Sequence, residues 1–195
     1  TGILDDGNEG GYWKVPAVVI VPVGDGNMIA GVYKGFADLL AIGVVSRIPK
    51  IVGVQADGSS AIASAYNNGD NVIAEVESNT IADSISADRP ADGYRAINAV
   101  KKSGGQYLTV SDSAIEIAVR ELSSMTGIFA EASAAVSFAG LRMMQQSKWI
   151  NSDDNVVMLI TGHGLKTVGE SHVDIKQFSH IKPKLSELAD LLKKI

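Results

Sequence analysis

Two glycine-rich segments contain residue types that bind anions, and the first is VGDGN at residues 23–27. It lies between a β-branched run and a helical pattern, with Gly24, Asp25, Gly26 and Asn27 at the junction. Backbone N–H groups at a glycine-rich turn that opens a helix attract anions, and the helix dipole adds to this. We predict that this turn binds a phosphate; a tight turn capped by Asn27 is the alternative. The spacing matches neither G-x-G-x-x-G nor a P-loop.

The second segment is TGHG at residues 161–164, which follows the last apolar run of the chain. Open α/β sheets bind ligands at the carboxyl ends of their strands, so Thr161 is a candidate ligand contact. The alternative is a strand-end hydroxyl bonded to the nearby backbone. His163 has a catalytic and a structural interpretation, and we favour the structural one. The three histidines, at positions 163, 172 and 180, show no metal-ligand spacing, so no metal site is predicted.

Two further polar positions have a structural and a functional interpretation. Ser111 and Asp112 open a helical pattern, and we interpret them as a helix cap because no G-x-S-x-G elbow accompanies them. Glu131 precedes a helix rich in small residues. It either caps that helix or reaches the crevice between the two glycine-rich segments, and we favour capping.

Four apolar runs without in-out alternation predict strands buried on both faces of a parallel sheet, at residues 17–23, 49–56, 105–111 and 155–162. Helical patterns lie between them, and another ends the chain. The resulting order, β-α-β-α-α-β-α-α-β-α, predicts an α/β fold: a doubly wound, mostly parallel four-stranded sheet with helices on both faces. We expect residues 1–195 to form one α/β domain. The long polar connection at residues 69–91 is of a kind that often contributes to function.

Composition narrows the range of partners. The net charge of −5 and the absence of a basic run argue against nucleic acid, and no apolar stretch approaches the roughly 20 residues that a membrane span requires. The chain has no cysteine, which excludes disulfides and thiolate chemistry and fits a cytoplasmic location. The sequence starts at Thr1 rather than Met, so we expect it to be a fragment of a longer gene product.

Several segments together resemble the C-terminal half of the threonine synthases, pyridoxal-phosphate enzymes of the tryptophan-synthase-β type (fold type II). The resemblance covers roughly residues 12–170, and GIFAE followed by TGHGLK is its most specific part. The matching segments are VPVGDGNMIAGVYKGF, PKIVGVQADG, TIADSISADRPADGYRAINAVKKSGGQYLTVSD, GIFAEASAAVSFAGL and TGHGLK.

This resemblance implies the cofactor pyridoxal 5'-phosphate and assigns roles to residues. The family's glycine-rich loop binds the cofactor phosphate, and its Thr bonds the pyridine nitrogen, which maps onto Thr161. The loop residues that the resemblance assigns to the phosphate are Gly24, Asp25, Gly26, Asn27 and Met28. The implied reaction converts O-phosphohomoserine and water to threonine and phosphate, so the substrate is a small amino acid.

The sequence departs from the family pattern at three points. The loop is one residue shorter than the common form, and Ala132 stands where the family often has Pro. None of the twelve lysines has the setting of the family's Schiff-base Lys, so we expect no covalently held cofactor on this chain alone.

These departures leave three functions open: half of a threonine-synthase-like lyase, a related β-replacement enzyme or ammonia-lyase, or a non-catalytic phosphate-binding or partner-binding domain. Because half a sheet exposes an edge, we also expect a homodimer or association with the missing N-terminal half.

Overall fold

The computed structural model describes residues 13–167 and 181–193, and its centre is a four-stranded parallel sheet. The strands lie in the order β3-β2-β1-β4, as the predicted α/β class requires. Each is shorter than the apolar run that predicted it. The strands are β1 (Val18–Pro22), β2 (Lys50–Ala56), β3 (Tyr107–Val110) and β4 (Val156–Met158).

Six helices connect and follow these strands in the described part of the chain, and the predicted order of elements is confirmed. Local signals explain their ends: Gly43, with φ of 75°, follows α1, and the Ser111 hydroxyl accepts the Ala114 N–H at the start of α4. The Ser111 cap is therefore confirmed. The helices are α1 (Asn27–Ala41), α2 (Ala61–Asn68), α3 (Gly93–Ser103), α4 (Asp112–Thr126), α5 (Ala132–Gln146) and α6 (Leu185–Leu192).

Helices cover both faces of the sheet, as the doubly wound class predicts. Side chains alternate along β1, so Val18 and Ile20 belong to a core that includes α4 and α5. Val19 and Val21 point to the opposite core, which includes residues of α1, α2 and α3. The central strands are buried on both sides for this reason, which matches their continuous apolar sequence.

Strand β4 differs from the prediction of a strand buried on both faces. Among the described residues it pairs with β1 alone, and Val157 is 38% exposed. An apolar cavity of about 480 Å³ lies beside it, with Trp13, Phe36 and Leu159 among its lining residues. The prediction of complete burial is wrong here because β4 is at the edge of the sheet: Val156 and Met158 pack against the core that contains α5, while among the described residues no strand pairs with its outer side.

Helix α5 lies very close to the sheet, and its small residues make this possible. A Cβ atom at Gly140 would lie 2.5 Å from Val54 Cγ2 of β2. Ala134, Ala135 and Ala139 are buried along the same helix. The small-residue pattern of this segment therefore sets the spacing between helix and sheet. None of the helices in the described segments has the length and apolar character that crossing a membrane requires.

This close approach predicts opposite effects for two Gly→Ala substitutions in helices. We expect Gly140→Ala to lower the free energy of unfolding, because overpacking of a core costs about 1–3 kcal/mol and outweighs the gain in helix propensity. Gly35→Ala in α1 is the control, since a Cβ atom there meets nothing within 4 Å. It should raise the free energy of unfolding by about 0.5–1 kcal/mol. Urea denaturation of both variants measures this, and equal effects would contradict the packing.

Candidate functional site

The predicted phosphate turn lies between the end of β1 and the start of α1. The residue that precedes α1 is Gly26, whose φ is 93°, and no side chain caps the helix. The proposed Asn27 cap is therefore wrong by one residue. Asn27 is the first helical residue, and its Oδ1 accepts the N–H of Met28 at 2.9 Å.

Most backbone N–H groups of this turn have no acceptor within the described part of the chain. The exception is Met28, which donates to the Asn27 side chain, while the first helical hydrogen bond is donated by Ala30 to the Gly26 carbonyl at 3.2 Å. Unsatisfied N–H groups at a helix start, together with the helix dipole, favour the binding of an anion. The unpaired N–H groups belong to Gly24, Asp25, Gly26, Asn27 and Ile29.

Packing gives a further reason for the two glycines, besides the phosphate site that the sequence predicts. A Cβ atom at Gly24 would lie 2.9 Å from Ile85 Cα, and one at Gly26 would lie 2.8 Å from Ala96 Cβ. Gly26 also has a left-handed φ that L side chains rarely adopt. The two glycines therefore let the turn pack against Ile85 of the long polar connection and Ala96 of α3.

Asp25 fixes the turn to the end of that connection. Its carboxylate Oδ1 accepts the Ala91 N–H at 3.1 Å, and its carbonyl accepts the Asp92 N–H at 2.9 Å. These two bonds hold the turn in place before any ligand arrives. The polar connection is thus part of the site, as its composition indicated.

A cavity of about 270 Å³ opens at the turn and brings the two glycine-rich segments together. Residues 22–29 form one wall, and Thr161 lies on another. Thr161 follows β4 at a distance of three residues, because the strand ends at Met158. No hydrogen bond joins its hydroxyl to another described residue, so the strand-end alternative is not found. The remaining lining residues are Ser84, Ile85, Glu131 and Lys166.

Glu131 lies in the cavity and does not cap α5, so the favoured interpretation of this residue is wrong. It occupies the N-cap position, yet its side chain makes no capping hydrogen bond. The residue is 5% exposed, and no hydrogen bond reaches its Oε2. Lys166 Nζ lies 3.2 Å from that oxygen and donates its hydrogen bond to Ser84 Oγ at 2.6 Å instead.

His163 is outside the cavity lining and has structural contacts. Its Nδ1 accepts the Leu165 N–H at 3.1 Å, and its ring meets the Phe129 ring edge-on at a centroid distance of 5.9 Å. It also forms an antiparallel bridge with Ala130, which holds the start of α5 beside residues 162–164. These contacts support the structural interpretation. Among the described residues, no three acidic or histidine side chains form a group that could hold a metal ion.

The sequence reasoning assigned no role to Lys166 and Ser84. Lys166 is part of the TGHGLK segment, five residues beyond Thr161, so its position at the same edge was a usable signal. Ser84 carries no such signal. Ser84 reaches Lys166 because the long connection folds back onto the start of α5. There the Ser84 N–H donates to Ser133 Oγ at 3.0 Å.

Fold and cavity together define an α/β protein with a turn of largely unpaired N–H groups at the carboxyl edge of its sheet. Residues 4–162 match the family described as pyridoxal-phosphate dependent enzyme, and the chain belongs to that family. The cofactor of this family is pyridoxal 5'-phosphate.

Curated relatives of this chain include threonine synthases. The chain is 37% identical over 155 residues to threonine synthase of Methanocaldococcus jannaschii and 36% identical over 155 residues to that of Methanosarcina acetivorans. Each match covers 79% of this chain and 38% of the relative. The chain therefore spans about two fifths of the length of the curated relatives that it matches.

Solved structures with different reactions share this fold. Threonine synthase from Escherichia coli aligns with a TM-score of 0.61 at 20% identity, covering 94% of this chain and 40% of the other. An L-serine ammonia-lyase from Rhizomucor miehei aligns with a TM-score of 0.64 at 24% identity, covering 84% of this chain and 50% of the other. At these identities the likeness shows the fold alone.

The residues at the cavity fit a phosphorylated aromatic cofactor. Unpaired N–H groups at the turn suit a phosphate, and Ile85 and Met28 supply apolar surface for a ring. The volume of about 270 Å³ is near the lower end of typical ligand pockets, at roughly 300 Å³.

The unpaired N–H groups predict a specific response to inorganic phosphate. Millimolar phosphate should shift the amide NMR resonances of Gly24 and Gly26, because their N–H groups gain an acceptor. Gly69 and Gly104, which follow α2 and α3, are internal controls and should not move. Unmoved Gly24 and Gly26 resonances would contradict an anion site at this turn.

Proposed function

We propose that this chain is the C-terminal large-domain part of a threonine-synthase-like lyase and that it supplies contacts to pyridoxal phosphate. The observation that carries the proposal is the set of N–H groups without an acceptor among the described residues, those of residues 24–27 and of Ile29, in the same cavity as Thr161 and Glu131. Identities of 36–37% to relatives named threonine synthase support this choice over the ammonia-lyases.

Each proposed contact has a distinct task. The N–H groups of residues 24–27 hold the cofactor phosphate without requiring a side-chain cation. The Thr161 hydroxyl bonds the pyridine nitrogen. Because a neutral hydroxyl does not stabilise a protonated ring nitrogen as a carboxylate does, this choice favours elimination and replacement over transamination. Bound pyridoxal phosphate supplies the electron sink for carbanion chemistry, and the protein fixes and tunes it.

The proposed overall reaction converts O-phosphohomoserine and water to threonine and phosphate. A β-replacement enzyme or ammonia-lyase of the same fold is the second candidate, because a solved ammonia-lyase shares the architecture. The Schiff-base Lys and most substrate contacts are expected outside this chain, so we propose that the chain alone is inactive.

We further propose that the exposed edge of the sheet is an association surface. Strand β4 and the apolar cavity lined by Trp13 and Phe36 leave apolar area that a second copy or the N-terminal part of the enzyme would cover. The coverage of 38% of the relatives agrees with a chain that works together with further polypeptide.

The Thr161 contact predicts a measurable loss of cofactor affinity. Thr161→Ala should weaken binding of pyridoxal phosphate by about 1 kcal/mol, or roughly fivefold in Kd, because one hydrogen bond is lost. Thr167→Ala is the matched control, since Thr167 does not line the cavity. Absorbance titration of both variants measures this. Equal affinities would show that the Thr161 hydroxyl does not contact the ring.

The exposed sheet edge at β4 predicts that the isolated chain self-associates, and that one charge introduced at this edge weakens the association. Sedimentation velocity should show a dimer of the isolated chain at high concentration. Val157→Glu should shift it toward monomer, because the charge faces the apolar edge. Val72→Glu, at an exposed position of the polar connection, should leave the distribution unchanged. A wild-type chain that stays monomeric and binds no dye for apolar surface would refute the proposal.

A further inference from the structure

Thr161 lies in a stretch of chain that makes few hydrogen bonds of its own. The backbone N–H of Leu159 donates to the Ile20 carbonyl at 3.0 Å, and this is the last described bond from that stretch to the sheet. The next anchor is the Gly162 carbonyl, which accepts the Glu131 N–H at 3.1 Å. Among the described residues, Thr161 itself has no hydrogen-bond partner. Its position therefore depends on what holds the chain immediately after it.

The segment that links Gly162 to Lys166 is held to the start of α5 by backbone and side chains. The Gly164 N–H donates to the Phe129 carbonyl at 2.8 Å, and the Glu131 carboxylate packs on the Gly162 backbone. A Cβ atom at Gly162 would lie 2.2 Å from Glu131 Oε1, so no side chain fits between them. At the other end of the segment, Lys166 Nζ lies 3.2 Å from Glu131 Oε2.

Lys166 also ties this segment to the long polar connection. Its Nζ donates to Ser84 Oγ at 2.6 Å. Ser84 is itself secured, because its N–H donates to Ser133 Oγ at 3.0 Å. The next residue, Ile85, packs against Gly24 of the turn, where a Cβ atom would lie 2.9 Å from Ile85 Cα. Lys166 therefore connects the segment after β4 to the turn on the other side of the cavity.

The contacts of Lys166 contribute to local position more than to the stability of the fold. Its side chain is 58% exposed, and an exposed ion pair contributes less than about 1 kcal/mol to stability. Its partner Glu131 is 5% exposed, and packing against Gly162 holds that carboxylate in place. Loss of the Lys166 ammonium group should therefore release the segment locally and leave the chain folded.

We propose that Lys166 is a positioning residue for Thr161. By joining Glu131 to Ser84, it fixes the distance between the segment after β4 and the turn that begins α1. It acts through Thr161 rather than by contact with the ligand. The inference rests on the proposed function in requiring that Thr161 contacts the cofactor ring, and it adds the residue that holds Thr161 there.

A double-mutant cycle on the affinity for pyridoxal phosphate tests this inference. Lys166→Met should raise the Kd, at most by the roughly fivefold expected for Thr161→Ala, since a positioning residue contributes no more than the contact it positions. In the Thr161→Ala chain, Lys166→Met should then change the Kd by less than about twofold. Lys166→Arg keeps the charge and the donors and should restore the wild-type Kd. Lys102→Met, which removes the same charge at the end of α3 and outside this cavity, is the control and should leave the Kd unchanged.

Two further measurements need no pyridoxal phosphate. Inorganic phosphate, which the turn holds, should bind Lys166→Met as tightly as the wild type. In the ligand-free chain, the backbone NMR order parameters of Thr161 and Gly162 should fall from about 0.85 toward about 0.6 in Lys166→Met. Ser84→Ala removes the acceptor of the same tie and should lower them in the same way. The order parameter of Thr109, in β3, is the control and should not change.

The possible failures are distinguishable. Order parameters that stay at their wild-type values in Lys166→Met, or affinity losses that multiply in the double variant, would overturn this inference and leave the proposed function intact. A weaker affinity of Lys166→Met for inorganic phosphate would show that Lys166 contacts the ligand itself, and would also overturn it. A wild-type chain that binds no pyridoxal phosphate would overturn the proposed function, and the order parameters then decide on their own whether Lys166 holds Thr161.

Discussion

The start of α1 places a row of backbone N–H groups where the helix itself offers them no acceptor, and the site depends on this constraint. Gly26 adopts a left-handed conformation to begin the helix, and no side chain caps it. An N–H group without an acceptor is costly wherever water is excluded, so such a helix start needs solvent or an anion. The family's cofactor carries a phosphate, which meets this requirement.

The long connection before α3 keeps this helix start in place. Ile85 packs against Gly24, and the backbone of residues 91 and 92 bonds Asp25. The same connection brings Ser84 to Lys166, which in turn lies beside Glu131. A segment with almost no regular structure thus connects the turn, the start of α5 and the residues that follow β4. Substitutions at residues of this connection outside the cavity lining should therefore alter ligand binding through the position of the turn.

Patterns within single elements predicted the fold well, and contacts between distant elements were harder to predict. Continuous β-branched runs predicted the parallel sheet, and Ser111 marked the start of α4, because each of these signals is local. The predicted bounds of β4, residues 155–162, were too wide because the pairing of this edge strand with β1 ends at Met158. Glu131 was misjudged because its partner, Lys166, is distant in sequence and approaches through the fold. The packing role of the two glycines was missed for the same reason: Ile85 and Ala96 approach them from other segments.

If the turn at residues 24–27 holds the phosphate of pyridoxal phosphate, ³¹P NMR will detect the contact directly. The phosphorus resonance of pyridoxal phosphate should shift and broaden when the chain is added. It should remain at its free position with Gly26→Ala, where the new Cβ atom meets Ala96 and the φ of 93° is strained. Gly104→Ala, at another left-handed glycine with open space around it, should behave like the wild type. A phosphorus shift with Gly26→Ala as large as with the wild type, or no shift with the wild type, would show that this turn does not hold the phosphate.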